Sequence, residues 1–374
     1  MALLAGALLA GCGAAGKAGA NGAGAPGAGA PQAAAATTAA TPALQRFEYR
    51  RIVMGADCNL VLYAPDQERA DAAARAAFAR LAQIEEALSD WMPASETRRL
   101  PATAGTTVRV GPDLANALAI SLAFARDSGG AFDPTVGPLT ALSRAARKRG
   151  TPPTPQEWAQ ARARCGWEGV AYDPAAGTLT MRRDGVALDF GAIGQGLGAD
   201  AALRVLAQQG IASALVDMSG DIVVSAPPPG HDAWHVSVDD GEGRPPIDLA
   251  LAHAAVTTSG DRFQHTDTPG ADGTVVRRSH IFDPRTGEAL TTRTAVTVLA
   301  RTATDADALA TALCVLGPEG AAPLLARHPD ACARWLQERP GAAPVERTTA
   351  NWSVRLLLRP VPAPAPSTAR PDRG

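Results

Sequence analysis

Aromatic residues make up only 4% of this sequence, so its core must be built from Ala, Val, Leu and Ile, which the 46% hydrophobic fraction supplies in plenty. Clustered cations are missing too. The formal net charge is -2, and no Lys/Arg run is interleaved with aromatics. That excludes nucleic acid as a partner, because binding it requires several grouped cations to displace phosphate counterions. Long apolar runs are absent: the opening Met1–Ala10 stretch is far short of the roughly 20 residues that cross a bilayer. None of the five cysteines sits in a CxxC pair, which argues against zinc or thioredoxin-like chemistry. No GxSxG elbow, HExxH or P-loop occurs, so the common nucleophile, zinc-hydrolase and nucleotide-triphosphate motifs are missing.

What is present begins with the first twelve residues. MALLAGALLA followed by Gly11-Cys12 reads as the apolar region of a secretory signal. Leu9-Ala10-Gly11-Cys12 resembles a bacterial lipobox, which implies lipid on the Cys12 thiol and a location on the periplasmic side of a bacterial membrane, although no Lys or Arg precedes the run. Residues 13–43 are nearly all Ala, Gly, Pro and Thr, a composition that cannot bury enough surface to fold. Such a tether spans on the order of 30 Å root-mean-square. A folded domain is expected over 44–358 and a disordered Pro/Ala-rich tail over 359–374. Cys58, Cys165, Cys314 and Cys332 allow three disulfide pairings, and export would permit them. Cys314, in an apolar helical run, reads as a small core residue.

Within the domain, Arg50–Tyr63 reads as strand with a break at Met54-Gly55, and Ala70–Leu88 as helix. Pro112 opens a second helix that Gly129-Gly130 stops. Short strands are expected around Gly169–Tyr172, Thr178–Arg182 and Val186–Phe190. A helix follows over Gly196–Gln209, with Gly210 as its C-cap. Further strands are expected at Ala214–Asp217, Trp234–Val238, Ala255–Thr258, Ser279–Phe282 and Ala295–Leu299. A last helix runs from Thr304 to Gly317-Pro318. Strands of antiparallel type with helices in blocks indicate an α+β fold.

Four constellations have chemical potential. Leu188–Gly196 runs from a strand through a Gly-rich turn into a helix, a geometry that brings backbone N–H groups to a phosphate. Gly194-Gln195-Gly196-Leu197-Gly198-Ala199 also fits the dinucleotide fingerprint, with Asp217 about 20 residues on, so an NAD-dependent oxidoreductase is an alternative. Against it, no further strand–helix repeats follow. Asp307 and Thr311 are four apart and share a helix face. A carboxylate and a hydroxyl suit a hard cation such as Mg²⁺, or Thr304-x-x-Asp307 is only a helix cap. His280–Gly287 is a strand entering a turn, preceded in the chain by the hydroxyl-rich Thr257–Asp261. Gly129–Leu139 is too rich in Gly and Pro for helix and too apolar for a solvated loop.

The order and spacing of these blocks, with Met54-Gly55, Leu88–Glu96, Ser219-Gly220-Asp221, Ser259-Gly260-Asp261 and Ala306–Ala312, resemble the ApbE family of FAD:protein FMN transferases from Met54 to about Gly317. The resemblance implies a T-fold-like single α+β domain of mainly antiparallel strands. It implies Mg²⁺ held by the Asp307 carboxylate, the Thr311 side chain and the carbonyl of Ala192. FAD would lie against Met54, Trp91, Ala131, Phe132, Asp133, Asp189, Gln195 and Ile281, and His280 matches a histidine linked to activity. Trp91 stands where the family often has Tyr, keeping a stacking face. Gln195 stands where many members carry Lys, so a neutral amide replaces a cation. After Arg98-Arg99-Leu100 comes Pro101, where the family pattern differs.

The implied reaction is phosphoryl transfer. A Thr or Ser hydroxyl of a partner flavoprotein attacks the FMN-side phosphorus of FAD, and AMP leaves. The implied partners are redox-pump subunits or periplasmic flavoproteins. An FAD pyrophosphatase using water at the same site, and a non-catalytic FAD-binding lipoprotein, are the alternatives within this resemblance.

Overall fold

The computed structural model describes residues 43–239, 246–261, 265–269, 275–339 and 342–352. The expected lipobox with Cys12, nearly all of the expected tether and the expected C-terminal tail lie outside the described residues. The described chain opens with a hairpin, a long helix, a short strand and a second helix. β1 (Gln45–Val53) and β2 (Ala56–Ala64) pair with Val53 opposite Ala56. The two loop residues Met54 and Gly55 both have positive φ, 55° and 71°, the hairpin turn whose twist matches paired strands. α1 (Gln67–Leu88) starts where the Asp66 side chain accepts the Arg69 N–H at 2.9 Å. It buries Ala70, Ala74, Ala77, Leu81, Ile84 and Leu88, a three-to-four spacing that marks one face. β3 (Thr107–Arg109) leads to α2 (Pro112–Asp127), which starts on proline.

Two helices follow that the sequence reading passed over: α3 (Gly137–Arg149) and α4 (Pro155–Arg162), the latter opened by a Thr154/Glu157 capping box. β4 (Val170–Asp173) and β5 (Thr178–Met181) form a small sheet with β3. α5 (Gly194–Gln208) then enters β6 (Ala214–Met218) and β7 (Asp221–Val224). β8 (Trp234–Val238) and β9 (Ile247–Leu251) make a separate hairpin, followed by β10 (Ala254–Gly260). β11 (His265–Pro269) pairs with β12 (Val275–Ser279), and β13 (Phe282–Asp283) with β14 (Glu288–Ala289). β15 (Arg293–Ala300), α6 (Ala303–Gly320), α7 (Ala322–Arg327), β16 (Cys332–Arg339) and β17 (Ala342–Thr348) close the described chain.

The main sheet has the order β1-β2-β6-β7-β10-β15-β16-β17, and every neighbouring pair is antiparallel. Strand alternation divides the core in two. Leu60, Leu62, Val216 and Val298 pack with α1, α5 and α6 on one face, whereas Val61, Val256 and Leu299 pack with Trp234 and Leu249 of the β8–β9 hairpin on the other. This is the expected α+β class. Cys58, Cys165, Cys314 and Cys332 are all buried, and among the described residues none of the three expected disulfide pairings is made. No helix among the described residues is long and apolar enough to cross a membrane.

Three expectations are corrected. Val186–Phe190 alternates in burial like a strand but joins no sheet. Its Asp189 N–H goes to the Pro134 carbonyl, and the start of α3 abuts it so closely that a Cβ on Gly137 would sit 2.6 Å from the Ala187 carbonyl oxygen. A helix terminus therefore fills the place of a neighbouring strand. With that strand gone, no strand–helix–strand unit surrounds α5, and the dinucleotide-fold reading loses its required context. The expected strand Ser279–Phe282 is split at His280-Ile281, because Ile281 turns its N–H to the Ser279 hydroxyl at 3.0 Å. Finally, α6 is capped by Thr302, whose hydroxyl accepts the Asp305 N–H at 3.0 Å, and Thr304 lies inside the helix. The helical run breaks at Gly317, where φ is 65°.

Candidate active site

The site is organised where the first turns of α5 and α6 cross. Gly196 is the point of closest approach: a Cβ there would lie 2.4 Å from the Ala303 carbonyl oxygen, so only glycine fits. Asp200, one turn further along α5, accepts the N–H groups of Ala303 and Thr304 at 2.9 Å each and the Thr304 hydroxyl at 2.5 Å. It thereby ties α5 to three donors at the start of α6. In return, the Gly196 N–H donates to Asp307 Oδ2 at 3.1 Å. The two helices thus hold each other's termini, which fixes Asp307 and Thr311 relative to the Gly-rich turn that carries Ala192.

Asp307 is 5% exposed, and that N–H is its only hydrogen-bond partner among the described residues. Burial, reinforced by the charge of Asp221, pushes its carboxyl well above the usual range. Asp221 itself is pushed up to about 7, by burial first and then by Asp217. Thr311, one turn beyond Asp307, has its hydroxyl 3.3 Å from the Ser259 hydroxyl. Among the described residues this buried acid has no ion-pair partner, and it lies one helical turn from a pair of hydroxyl groups. Among the described residues no cluster of three His, Cys, Asp or Glu side chains is placed to hold a metal, so any ion here would rest on a mixed set of oxygen donors.

Two cavities open around this junction and meet at Asp90 and Gly191. The larger, about 340 Å³, brings together the expected Ala131, Phe132, Asp133, Asp189, Ala192, His280, Ile281 and Thr311. That volume lies in the range of small-molecule sites. The smaller, about 80 Å³, is lined by the expected Met54, Trp91 and Gln195, with Leu88 and Phe190. Asp307 lines neither and is buried, one turn before Thr311 on α6. Met54 stands at the hairpin tip with its sulfur over Gly198, and the Gln195 amide donates to its carbonyl at 3.4 Å. The Oε1 of Gln195 is buried without a donor. Trp91 is 59% exposed, on a loop held by Ser89, whose hydroxyl accepts the Met92 N–H, and by Ser95, which donates to the Ser89 carbonyl.

The remaining acids of the larger cavity are internally satisfied. Asp133 accepts the N–H and hydroxyl of Thr135 at 2.7 Å and the Trp167 N–H at 2.9 Å. Burial still raises its carboxyl above the ordinary range. Asp189 accepts the Thr140 hydroxyl at 2.6 Å and the Gly191 N–H at 2.8 Å, and it too is raised, by burial and then by Asp90. Arg144 of α3 pairs with Asp90 and lies 3.8 Å from Asp189. Thr140, Ser143, Arg144 and Arg147 form a wall of the cavity that the sequence reading missed. The signal was available: Gly137-Pro138 followed by Leu139, Leu142 and Ala146 is a proline-started helix with apolar residues three and four apart.

Several known proteins resemble this chain. The model of the ApbE family matches residues 54–335. A FAD:protein FMN transferase of Treponema pallidum (strain Nichols) is 34% identical over 307 residues, covering 75% of this chain and 82% of that protein. One from Klebsiella pneumoniae (strain 342) is 29% identical, covering 72% and 78%. The crystal structure of the Pseudomonas stutzeri flavinyl transferase ApbE in its apo form superposes with a TM-score of 0.73 at 25% identity, covering 83% of this chain and 97% of that one.

Proposed function

Because this chain belongs to the ApbE family, we propose that it is a Mg²⁺-dependent FAD:protein FMN transferase acting on a Thr or Ser hydroxyl of a flavoprotein. The observation that carries the reading is convergence: residues from seven separated segments, Met54, Trp91, Ala131–Asp133, Asp189–Ala192, Gln195, His280-Ile281 and Thr311, line two adjoining cavities. The smaller cavity has no Lys or Arg in its lining. It offers apolar surface and the exposed face of Trp91, suited to stacking a flat ring. The isoalloxazine of FAD belongs there and its diphosphate and adenosine in the larger cavity.

The Asp307 region fits a divalent cation. A carboxylate whose charged form burial disfavours becomes favourable as an anion once a cation sits beside it. Asp307, Thr311 and the Ala192 carbonyl would hold Mg²⁺, matching its preference for a few hard oxygens with phosphate and water completing the shell. When bound, the ion supplies charge neutralisation to the phosphoryl oxygens, worth several kcal/mol in such chemistry. The protein's own contribution is positioning. The acceptor hydroxyl oxygen bonds to the FMN-side phosphorus, the bond to the AMP oxygen breaks, and the hydroxyl proton is lost. His280, on the cavity wall, is suited to take that proton or to steady a phosphoryl oxygen. The loop of Trp91 and the hairpin tip of Met54 hold the flavin in line.

We further propose that Cys12 carries a lipid and that residues 13–43 tether the domain on the periplasmic side, within reach of membrane-bound acceptors. Incubating the purified protein with FAD, Mg²⁺ and a candidate acceptor, then looking for flavin fluorescence on the denatured acceptor, tests the activity. Free FMN with an unmodified acceptor would replace the transferase by a pyrophosphatase. Unchanged FAD would reduce it to a binding protein.

A further inference from the structure

Which groups bind the diphosphate of the substrate follows from the charges lining the larger cavity. Its acids are committed, Asp133 to three donors and Asp189 to two. Arg144 is neutralised by Asp90 and approaches Asp189. Gln195, in the neighbouring cavity, is neutral, and the atom it leaves unpartnered is an acceptor. An acceptor repels phosphate oxygens rather than binding them. Arg147 is different: it lines the larger cavity and is exposed. Among the described residues its side chain makes no ion pair or hydrogen bond. It lies one turn from Arg144 on α3, and like charges at that spacing on a helix repel.

Resting on the reading of the site as one for FAD, we propose that Arg147 is a specificity-determining residue that contacts the substrate's diphosphate and holds the AMP half in place. Its planar guanidinium offers two parallel N–H groups to a phosphate. The competing explanation is local. Cations in the last turn of a helix are favoured by its dipole, and Arg147 is followed there by Lys148 and Arg149. That explanation predicts an effect on stability and none on ligand choice.

Titration calorimetry of wild type, Arg147→Gln and Arg147→Lys with ADP plus Mg²⁺, FAD plus Mg²⁺ and riboflavin separates the two. Arg147→Gln is expected to weaken ADP and FAD roughly five- to tenfold, the order of one solvent-screened, charge-assisted contact. Riboflavin, which carries no phosphate, should bind unchanged. Arg147→Lys should recover part of the loss, the salt dependence of ADP binding should flatten in Arg147→Gln, and the melting temperature should not move. ADP bound equally well by wild type and Arg147→Gln, in a protein that still transfers flavin, would overturn the role of Arg147 alone. Equal weakening of ADP and riboflavin would overturn it as well. A wild type that binds neither FAD nor ADP would overturn both this inference and the function it rests on.

Discussion

Asp307→Asn makes the strongest test of the junction between α5 and α6, because it separates fold from function. The side chain is 5% exposed and accepts one hydrogen bond, from the Gly196 N–H. An asparagine keeps the shape and, through its carbonyl oxygen, that bond. What it removes is a buried charge facing Asp221. In metal-free protein that charge is a burden. A carboxyl whose folded pKa lies above its unfolded value binds a proton more tightly in the folded state, so stability is lost as pH rises from the unfolded value toward the folded one. For Asp221 that window runs from about 3.8 to about 7, and Asp307 is shifted in the same direction. In EDTA at pH 8 the variant is therefore expected to be more stable than wild type by roughly 1–3 kcal/mol, the range for removing a poorly compensated buried charge. That corresponds to about 2–5 °C in melting temperature for a domain of this size. The advantage should shrink toward pH 4. Adding Mg²⁺ to a hundred times its dissociation constant should stabilise wild type by about 2.7 kcal/mol and leave the variant unmoved. Flavin transfer should fall at least about a hundredfold, by analogy with loss of a key electrostatic group. Differential scanning fluorimetry over pH 4–8, with and without Mg²⁺, reads all but the last. Equal Mg²⁺ shifts in both proteins, or a variant less stable in EDTA, would refute the reasoning.

Gly196→Ala should be severe. A methyl group 2.4 Å from the Ala303 carbonyl oxygen meets backbone, so α5 and α6 must part at a cost of about 1–3 kcal/mol or more, seen as a lower urea midpoint with unchanged slope. Thr302→Ala removes the hydroxyl that accepts the Asp305 N–H and should cost about 1 kcal/mol, whereas an exchange of Thr304 acts through Asp200 instead. The proposed helix-cap assignment fails if the Thr302 variant melts like wild type. Trp91→Ala, at a side chain 59% exposed, should leave the melting temperature alone yet weaken FAD by roughly tenfold, on the scale of one aromatic stacking contact. Trp91→Tyr should restore most of it, and flavin fluorescence quenching measures both.

Much of this site can be read from the chain because its pieces are short and local. Met54-Gly55 needs a hairpin turn, and the chain supplies one. Asp307 and Thr311 need only helical spacing. Gly-rich Gly191–Gly196 needs only to enter a helix. Each of these depends on neighbours within a few residues, which is the range over which propensity and periodicity carry information. The order of the eight-stranded sheet is another matter. It pairs β2 with β6 and β7 with β10 across long separations, and it ends with β16, buried on both faces from Cys332 to Leu336, and β17, exposed and interrupted by Pro344, so neither strand gives period-two contrast.

The most instructive miss is α3. Gly129–Leu139 looks like a Gly/Pro block closing on a loop, and Val186–Phe190 looks like a strand. The two readings fail together because they describe one contact. The first turn of α3 presses on the extended 186–190 segment at Gly137 and Ala187, taking the position where a partner strand would bond. Extended backbone without a ladder survives there since its alternating Val186, Leu188 and Phe190 side chains are buried and Asp189 is held by donors on both sides, Thr140 from α3 and Gly191 from the turn. A carboxylate pinned in this way cannot move without moving α3, and α3 carries Arg144 and Arg147 into the same cavity. The segment that leads to the candidate metal site and the wall that faces the substrate are therefore one mechanical unit. Asp189→Ala should on this argument disturb nucleotide binding through α3 even where the ligand does not touch residue 189. It should weaken ADP as much in an Arg147→Gln background as in wild type only if the two residues act separately. A double-mutant cycle whose effects simply add would sever the link.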